Sequence, residues 1–437
     1  MLVPWIVLLL EGLASKLFFD LIPNDSFMMS MIVIVINSLS LCIGVAFAYR
    51  EKHDVIYMML GGFLLRLGLL LWDLNCRDIF LLPNSGYDTE SYATWARSGF
   101  LTGDYMRDGA YPRFIAFWYN FFKVQRPVVQ YINILLAMAA ISLIISTMTY
   151  LKIDEGVSRT VTALMCFLPF SAIIHSILLR ETLIMFLIAC SVSFFVRYIK
   201  EDSLPALIAS MTIVIAASMV HSGAIAVLLG EAIALILYDR RERTMRVTTK
   251  SIVLTTVFII GFIAMFVLLQ DVVFDKFNGV DSAEDVVNGV EKYNAGGSAY
   301  DAGFDISNST LNLIVNSPIR MFYFLASPLP WKWRGVSDII AFFFSTLVFV
   351  YALCRAFVEI RRSPRGEERS LIIIFAVIAL CGALIFAWGV SNAGTAMRHR
   401  EKFTMVYMLL IAICNDNRIR RKQSMPVQRK IGNDYES

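Results

Sequence analysis

Residues 83–92 read Pro83-Asn84-Ser85-Gly86-Tyr87-Asp88-Thr89-Glu90-Ser91-Tyr92, a short polar run between long apolar stretches. The Pro, Asn and Gly residues indicate irregular backbone, and residues 91–97 have the composition to start a helix. We expect the run to lie at the outer face of a membrane, where Asp88 and Glu90 meet arginines from elsewhere in the chain. The alternative is a solvated turn that caps a helix, because Asp, Ser and Thr side chains satisfy the first free N–H groups.

The composition of the 437-residue chain is typical of a membrane protein. Hydrophobic residues make up 57% of it and charged residues 17%, with a mean hydropathy of +0.65, whereas soluble domains carry roughly a quarter charged residues. The apolar residues come in blocks of about 20, long enough to cross about 30 Å of hydrocarbon. The sequence therefore predicts an all-α fold, a polytopic transmembrane helical bundle that forms one integral membrane domain over residues 1–437.

The apolar blocks predict about twelve membrane spans. They cover approximately residues 3–22, 27–49, 55–74, 128–149, 159–178, 182–198, 204–220, 222–238, 251–270, 338–358, 371–390 and 400–414. The first block lacks a small-residue cleavage site after it, so we interpret it as a membrane helix and not as a removed signal peptide. The seven cysteines lie mostly inside these blocks, which argues against a disulfide framework or a metal cluster.

Basic residues are concentrated in alternate linkers between the predicted spans. These linkers lie near residues 50–52, 152–159, 197–200, 240–250, 361–369 and 418–422. If the spans alternate in direction, every one of these linkers falls on the same side, and the excess of Lys and Arg predicts that this side is the cytoplasm. Both termini are then cytoplasmic, including a basic tail over residues 415–437.

Two long segments fall on the opposite, outer side. The first, residues 75–127, is rich in aromatic residues and is predicted to carry an amphipathic interfacial helix over residues 110–123. The second, residues 271–337, is acidic and rich in Gly and Asn at first and then becomes apolar. Pro328 and Pro330 exclude a regular helix near its end, so we predict a short interfacial or re-entrant element there, with Trp331 and Trp333 at the membrane surface.

The predicted topology places charged side chains from several segments at one depth. Ionisable groups at membrane depth are costly and are functional candidates by default, and guanidinium groups bind phosphate in a bidentate manner. The candidates for substrate binding are Glu90, Tyr92, Arg97, Arg113, Arg180, His221, Arg320, Arg398, His399 and Arg400. Arg398 and Arg400 have an alternative role in snorkelling to lipid headgroups, and His221 has a structural one. Arg66 and Glu231 lie nearer mid-membrane, where we expect structural roles.

The chemistry that fits an outer cluster of arginines and carboxylates is glycosyl transfer from a lipid carrier. The phosphate-bearing molecule to expect outside a cell is a lipid phosphate or diphosphate, such as a polyprenyl carrier. A carboxylate within hydrogen-bond reach takes the proton of the acceptor hydroxyl, and arginines stabilise the leaving phosphate. Asp88 is the first candidate for this base and Glu181 is the second. No cofactor is predicted, and a divalent ion bound by Asp88 and Glu90 stays open as an alternative.

Four short segments carry a resemblance to known families. Residues 86–92 resemble the loop with Asp and Tyr in bacterial membrane glycosyltransferases of the GT-C architecture, and in exopolysaccharide and O-antigen polymerase-like proteins. Residues 178–183, with Arg180 and Glu181, resemble an Arg-Glu pair that follows in such proteins. Residues 328–331 and 392–400 are similar to late segments of members from polysaccharide gene clusters.

The resemblance implies a protein of the bacterial cytoplasmic (inner) membrane. If the GT-C comparison holds, Asp88 matches the loop aspartate that acts as base. If the polymerase comparison holds, the outer arginines bind the diphosphate of undecaprenyl-linked repeat units, and the protein joins these units. Two more spans precede the loop here than in GT-C enzymes, which have one, and this departure favours the polymerase-like variant. Other polysaccharide-assembly proteins and membrane lipids are the implied partners.

Two other classes of function remain open from the sequence. A transporter or flippase for lipid-linked sugars would concentrate charge or broken helices at the midplane, often in two related halves. The charge here lies mainly at the outer boundary, and no repeat is visible. A non-catalytic scaffold of an envelope assembly complex would use the basic cytoplasmic linkers to bind lipid or protein partners. The chain has no nucleotide-binding glycine motif, and no nucleic-acid partner is predicted.

Overall fold

The computed structural model describes residues 2–104, 109–249, 251–254, 256–257, 260–261, 315–390 and 392–433, with side chains as far as residue 423. Most of the second predicted outer segment and most of the predicted span at 251–270 lie outside these residues. The described part is mainly α-helical, as predicted, with one short β-hairpin in addition.

The helices are α1 (Val3–Leu17), α2 (Phe27–Ala48), α3 (His53–Asn75), α4 (Tyr87–Thr102), α5 (Ala110–Phe122), α6 (Arg126–Tyr150), α7 (Glu155–Phe167), α8 (Pro169–Ser176), α9 (Glu181–Glu201), α10 (Leu204–Val220), α11 (Ile225–Leu237), α12 (Ser317–Ala326), α13 (Val336–Arg362), α14 (Glu367–Trp388), α15 (Ala393–Glu401) and α16 (Thr404–Asn433). The strands are β1 (Tyr238–Asp239) and β2 (Thr244–Met245), which pair in antiparallel fashion. Single tight turns occur at Phe19–Leu21, Ser222–Ala224 and Pro330–Lys332, and a π-helical turn at Phe342–Thr346 lies within α13.

Six of the described helices are long and apolar enough to cross a membrane: α2, α3, α6, α9, α13 and α14. The pair α7 and α8 adds a seventh span if a helix bent by 51° is counted as one. The predicted number of twelve is not confirmed. At 1.5 Å per residue, the 15 residues of α1 extend about 22 Å, short of the roughly 30 Å of a bilayer core. Helices α10 and α11 are also shorter than a full span.

The basic linkers meet at one end of the bundle, which we call the basic end. Lys200 forms an ion pair with Glu367 at 2.6 Å, and Arg420 donates to the carbonyl of Lys152 at 2.6 Å. The opposite end, called the loop end, holds α4, α5 and the turns that join them to their neighbours. There the backbone N–H of Asp25, before α2, donates to the carbonyl of Val124 at 2.8 Å. The described linkers therefore lie at two distinct ends of the bundle.

The core of the bundle is formed by the helices that are most buried. In α6, 89% of the apolar window is buried, and in α9 and α14 the figure is 72%. The residues from Met405 to Cys414 in α16 are also buried. Helices α2, α3 and α13 are mostly exposed, with about a third of their windows buried, as expected for helices that face lipid. A ligand at the loop end therefore approaches the ends of the central helices.

The break between α7 and α8 has a clear physical cause. Pro169 has no backbone N–H and cannot continue the hydrogen-bond ladder, so carbonyls at the end of α7 lose their partners. The guanidinium of Arg66 in α3, which is fully buried, donates to the carbonyls of Cys166 at 2.7 Å and of Met165 at 3.0 Å. Arg66 therefore has the structural role that we expected, as a cap of a broken helix.

The first loop segment folds into two helices, α4 and α5, which pack against each other. Helix α5 covers residues 110–122 of the amphipathic helix predicted over 110–123, and its location in the membrane interface stays a prediction. Its apolar face also packs on α1, and Tyr111, Ile115 and Tyr119 are fully buried. Helix α4 begins at Tyr87, four residues before the predicted start. The segment is a packed part of the bundle, which fixes the position of the carboxylates at the start of α4.

Candidate functional site

The start of α4 positions Asp88 and Glu90. Gly86 has a φ of 131°, a conformation that favours glycine. Its N–H donates to the hydroxyl of Thr89 at 3.0 Å, which caps the helix. Asp88 and Glu90 then lie in the first turn, where the helix dipole favours negative charge. Because they are two positions apart on a helix, their side chains point in different directions.

Asp88 belongs to a group of charged residues that converge from distant parts of the chain. Its carboxylate forms an ion pair with Arg398 of α15, which lies 310 residues later. The Nε of Arg398 lies 3.3 Å from the carboxylate of Glu181, at the start of α9. Lys402, between α15 and α16, lies 3.8 Å from the same Glu181 oxygen. We call these four residues, together with Arg180, the charged cluster.

Exposure falls steeply from one side of the charged cluster to the other. The side chain of Asp88 is 38% exposed and that of Arg398 is 14% exposed, whereas those of Glu181 and Lys402 are fully buried. Neither oxygen of the Glu181 carboxylate accepts a hydrogen bond from any described residue. The cluster therefore opens to solvent at Asp88 and has a buried carboxylate at its base.

Two histidines pack behind Lys402. The ammonium nitrogen of Lys402 lies 2.6 Å from Nδ1 of His399, and because a lysine ammonium only donates, this contact places the proton of a neutral His399 on Nε2. The ring of His399 lies 5.0 Å from that of His221. His221 accepts the backbone N–H of Gly223 through Nδ1 at 3.1 Å. These contacts fix the position of Lys402 from the side away from solvent.

Arg180 and Tyr92 complete this side of the loop end. The guanidinium of Arg180 lies 5.9 Å from the centre of the Tyr92 ring, and the Tyr92 ring packs edge-on against Tyr111 at 5.1 Å. Asn133 of α6 donates to the hydroxyl of Tyr111 at 3.1 Å and to the carbonyl of Leu179 at 3.1 Å. The segment that carries Arg180 and Glu181 is thus held directly by the central helix α6.

The charges of the cluster compensate one another closely. Arg180, Arg398 and Lys402 contribute cations, and Asp88 and Glu181 contribute carboxylates. Burial alone would lower the pKa of Arg398, but the negative charges of Glu181 and Asp88 raise it above the usual value. Arg398 therefore stays charged at any physiological pH. Such an arrangement can bind an anion, because guanidinium groups offer planar pairs of donors that fit phosphate oxygens.

Glu90 belongs to a second group of charges, which holds α4 in place. Arg126 of α6 donates to both Glu90 oxygens, at 2.6 and 2.9 Å, and Arg77 donates to one of them at 2.5 Å. Burial raises the pKa of Glu90, but hydrogen bonds from Arg126 and Arg77 outweigh it and lower the pKa to about 2. Asp73 of α3 pairs with Arg77 at 3.2 Å. Glu90 therefore joins α4 to the ends of α3 and α6.

The other predicted site residues lie apart from the charged cluster. Arg97 forms an ion pair with Asp25 at 2.7 Å, and Arg113 is exposed on α5. Arg320 donates to the carbonyl of Trp388 at the end of α14, at 3.2 Å. Arg400 is buried and donates to the carbonyls of the last turn of α12, including that of Leu325 at 2.7 Å. Arg320 and Arg400 thus contact backbone at helix ends, where cationic side chains are favoured.

The sequence analysis did not identify Lys402, Arg77, Arg126 or Asp73. A local signal exists for two of them, because Lys402 follows Arg398 by four positions and Arg77 follows Asp73 by four, the spacing of neighbours on a helix surface. Arg126 carries no such signal, since its partner is 36 residues away. In the described residues, no three His, Cys, Asp or Glu side chains group as metal ligands, and Asp88 and Glu90 pair with different arginines.

Comparison of the chain with models of protein families, with curated proteins and with solved structures gives no match. The functional conclusion therefore rests on the residues of the loop end. Of the twelve predicted site residues, the structure brings Asp88, Tyr92, Arg180, Glu181, His221, Arg398 and His399 together in and around the charged cluster. Glu90, Arg97, Arg113, Arg320 and Arg400 are outside it.

Proposed function

We propose that the protein is a membrane glycosyltransferase or glycan polymerase that builds a surface polysaccharide from polyprenyl-(di)phosphate-linked sugars. The observation that carries the proposal is the charged cluster, in which Arg398 lies between the half-exposed Asp88 and the buried Glu181. Cations held this way beside an accessible carboxylate suit a reaction that releases a phosphate and removes a proton from a hydroxyl group.

In the proposed reaction, the donor phosphate binds against Arg398, with Arg180 and Lys402 adding positive charge. The acceptor hydroxyl attacks the anomeric carbon, and the bond from that carbon to the phosphate oxygen breaks. Asp88 takes the proton of the hydroxyl as general base. The electron pair of the broken bond goes to the leaving polyprenyl (di)phosphate, whose charge the cations stabilise. Glu181 is fully buried, so we assign it as a positioning residue for Arg398 and Lys402 instead of as the base.

The site is proposed to face the outside of a bacterial cytoplasmic membrane. The basic end, with linkers joined by contacts such as Lys200 to Glu367, then faces the cytoplasm together with both termini. The charged cluster at the loop end would meet lipid-linked sugars in the outer leaflet. Membrane lipids and other polysaccharide-assembly proteins are the proposed partners, and the reaction as written uses no cofactor.

A transporter or flippase for lipid-linked sugars is the second candidate. One observation favours it: the span formed by α7 and α8 is broken by 51° near the middle of the bundle, as is common in transporters. Arg66, a charged residue at this break, donates to the backbone carbonyls of Met165 and Cys166. The charged cluster at the loop end favours chemistry at that end over passage through the middle.

The test supplies purified protein in lipid nanodiscs with undecaprenyl-diphosphate-linked repeat units from its host, and separates products by gel and mass spectrometry. We expect a ladder of multiples, or gain of one sugar when polyprenyl-phosphate sugar is the donor. Asp88→Asn and Arg398→Ala should each reduce product at least about 100-fold, the usual range for loss of a general base or of a charge stabiliser.

The matched control comes from the Asp25–Arg97 ion pair, which lies at the same end outside the charged cluster. Asp25→Asn and Arg97→Ala should keep product formation within about twofold, because exposed ion pairs contribute little. Full product from Asp88→Asn and Arg398→Ala would remove the case for these residues. Movement of unchanged substrate across sealed vesicles, without product, would support the transporter; neither product nor movement would support a scaffold of an assembly complex.

A further inference from the structure

The ion pair between Asp88 and Arg398 joins the two groups that the proposed reaction uses separately. Asp88 would accept a proton, and Arg398 would bind phosphate. In this structure Asp88 and Arg398 are ion-paired with each other, so neither is free for its proposed role. The pair lies at the open side of the charged cluster, where Asp88 is 38% exposed. An anion that enters from solvent therefore meets Arg398 with a carboxylate already in place.

Among the described residues, Arg398 has a buried partner and an accessible one. On its buried side, Nε lies 3.3 Å from Glu181, which is inaccessible to solvent. On its open side, the Nη1 group donates to Asp88. A diphosphate group carries more negative charge than a carboxylate and has more acceptor oxygens, and the planar guanidinium fits it. If a phosphate group takes the place of the Asp88 carboxylate on Arg398, the buried contact between Arg398 and Glu181 is unchanged.

Asp88 would not move far when it loses Arg398. Glu90, two positions later, stays bound to Arg126 at 2.6 Å and to Arg77 at 2.5 Å. Helix α4 also packs along α5 and is capped by the contact between Gly86 and Thr89. These contacts do not involve Arg398. The two carboxylates of the first turn therefore differ in their contacts: Glu90 fixes the helix, whereas Asp88 pairs with Arg398 alone among the residues that the structure describes.

We propose that a phosphate or diphosphate group displaces Asp88 from Arg398, and that the released carboxylate stays beside the bound phosphate. The consequence for catalysis rests on the proposed function: Asp88 becomes available to accept a proton only when a donor phosphate is bound. The binding part stands by itself. It makes Asp88 an internal competitor of phosphate, so removal of its charge strengthens phosphate binding while removing the proposed base.

The test measures binding by titration calorimetry at constant ionic strength, with the full chain in nanodiscs. The probes are inorganic diphosphate and farnesyl diphosphate, which share the phosphate chemistry and differ in the lipid. Asp88→Asn should bind diphosphate about two- to fivefold more tightly than the unaltered protein, as expected when a partly exposed ion pair no longer competes. Asp88→Ser should show the same change. A higher affinity for farnesyl diphosphate than for inorganic diphosphate identifies a lipid-linked ligand, and equal affinities identify free phosphate; tightening in Asp88→Asn supports the exchange in both cases.

Two controls separate the exchange from a general effect of charge. Asp25→Asn removes an equal charge at the loop end but does not contact Arg398, so its diphosphate affinity should be unchanged. In an Arg398→Ala background, Asp88→Asn should give no further tightening. Unchanged or weaker binding by folded Asp88→Asn and Asp88→Ser, or equal tightening by Asp25→Asn, overturns the exchange. If the unaltered protein still forms the glycan product in that case, the proposed function stands without it.

Discussion

Glu181 is the residue on which the charged cluster depends most. Its buried carboxylate lies within ion-pair distance of Arg398 and Lys402 and accepts no hydrogen bond from the described residues. If the anion is removed, two buried cations lose their compensating charge, an effect that typically costs several kcal/mol. Glu181 therefore acts mainly by positioning Arg398 and Lys402, and not by exchanging a proton with the substrate.

We predict that Glu181→Gln lowers kcat/KM for polyprenyl-linked donor about 100-fold, equal to roughly 3 kcal/mol. Glu181→Asp keeps the charge and should recover at least about a tenth of the activity. Because Glu181 acts through Arg398 and Lys402, the pH profile of the remaining activity should keep its shape. The measurement is kcat and KM against pH for both variants. Loss of the acidic limb of the profile in Glu181→Gln would instead make Glu181 the base.

At the scale of elements, several helix ends are held by arginines from other elements. Arg66 caps α7, Arg320 caps α14 and Arg400 caps α12, each by donating to backbone carbonyls. From the sequence, Arg320 and Arg400 were predicted to belong with the phosphate ligands. Their partners in the structure are backbone carbonyls, which every residue has and no sequence motif marks. Only the folded chain shows which carbonyls lack an intrahelical partner.

The contacts of Glu90 predict a dependence of stability on pH. Its pKa is lowered from 4.5 to about 2 by Arg126 and Arg77, against the effect of burial. A lowered pKa means that its stabilising effect is present above about pH 4.5 and is lost as the pH falls towards 2. The Glu90 side chain is 47% exposed, so solvent screening limits the effect to about 1 kcal/mol.

Glu90→Gln should therefore lower the melting temperature at neutral pH and flatten its decline between about pH 4.5 and 2. The measurement is thermal unfolding in nanodiscs, followed by tryptophan fluorescence across this pH range. Glu51→Gln is the control, because Glu51 forms only an exposed pair with Arg50 at 3.8 Å in the described part of the chain. An unaltered decline in Glu90→Gln would show that other carboxylates govern the acid sensitivity.

At the scale of the whole molecule, hydrophobicity and charge predicted the helical class, six of the long spans and the shared end of the basic linkers. Hydrophobicity and charge are properties of local composition, which can be read directly from the sequence. The breaks were not predicted: residues 159–178 form two helices instead of one span, and α15 ends before α16 begins at Thr404. Polar groups near these breaks have hydrogen-bond partners inside the bundle. Arg66 donates to a carbonyl at the end of α7, and the hydroxyls of Ser171 and Thr404 donate to the carboxylate of Glu401. These partners come from distant positions in the chain.

At the same scale, the predicted orientation of the molecule in the membrane is open to direct measurement. If the loop end faces outward, Tyr87→Cys, at a side chain that is 89% exposed, should react in intact cells with a membrane-impermeant maleimide. Arg241→Cys, exposed beside the hairpin at the basic end, should react only after the cells are opened. The unaltered protein is the control for labelling of the seven native cysteines. The reverse pattern would place the charged cluster in the cytoplasm, where the donor would have to be presented from the inner leaflet, and the proposed outer-face reaction would be wrong. The excess of basic residues at the end opposite to the cluster predicts the first result.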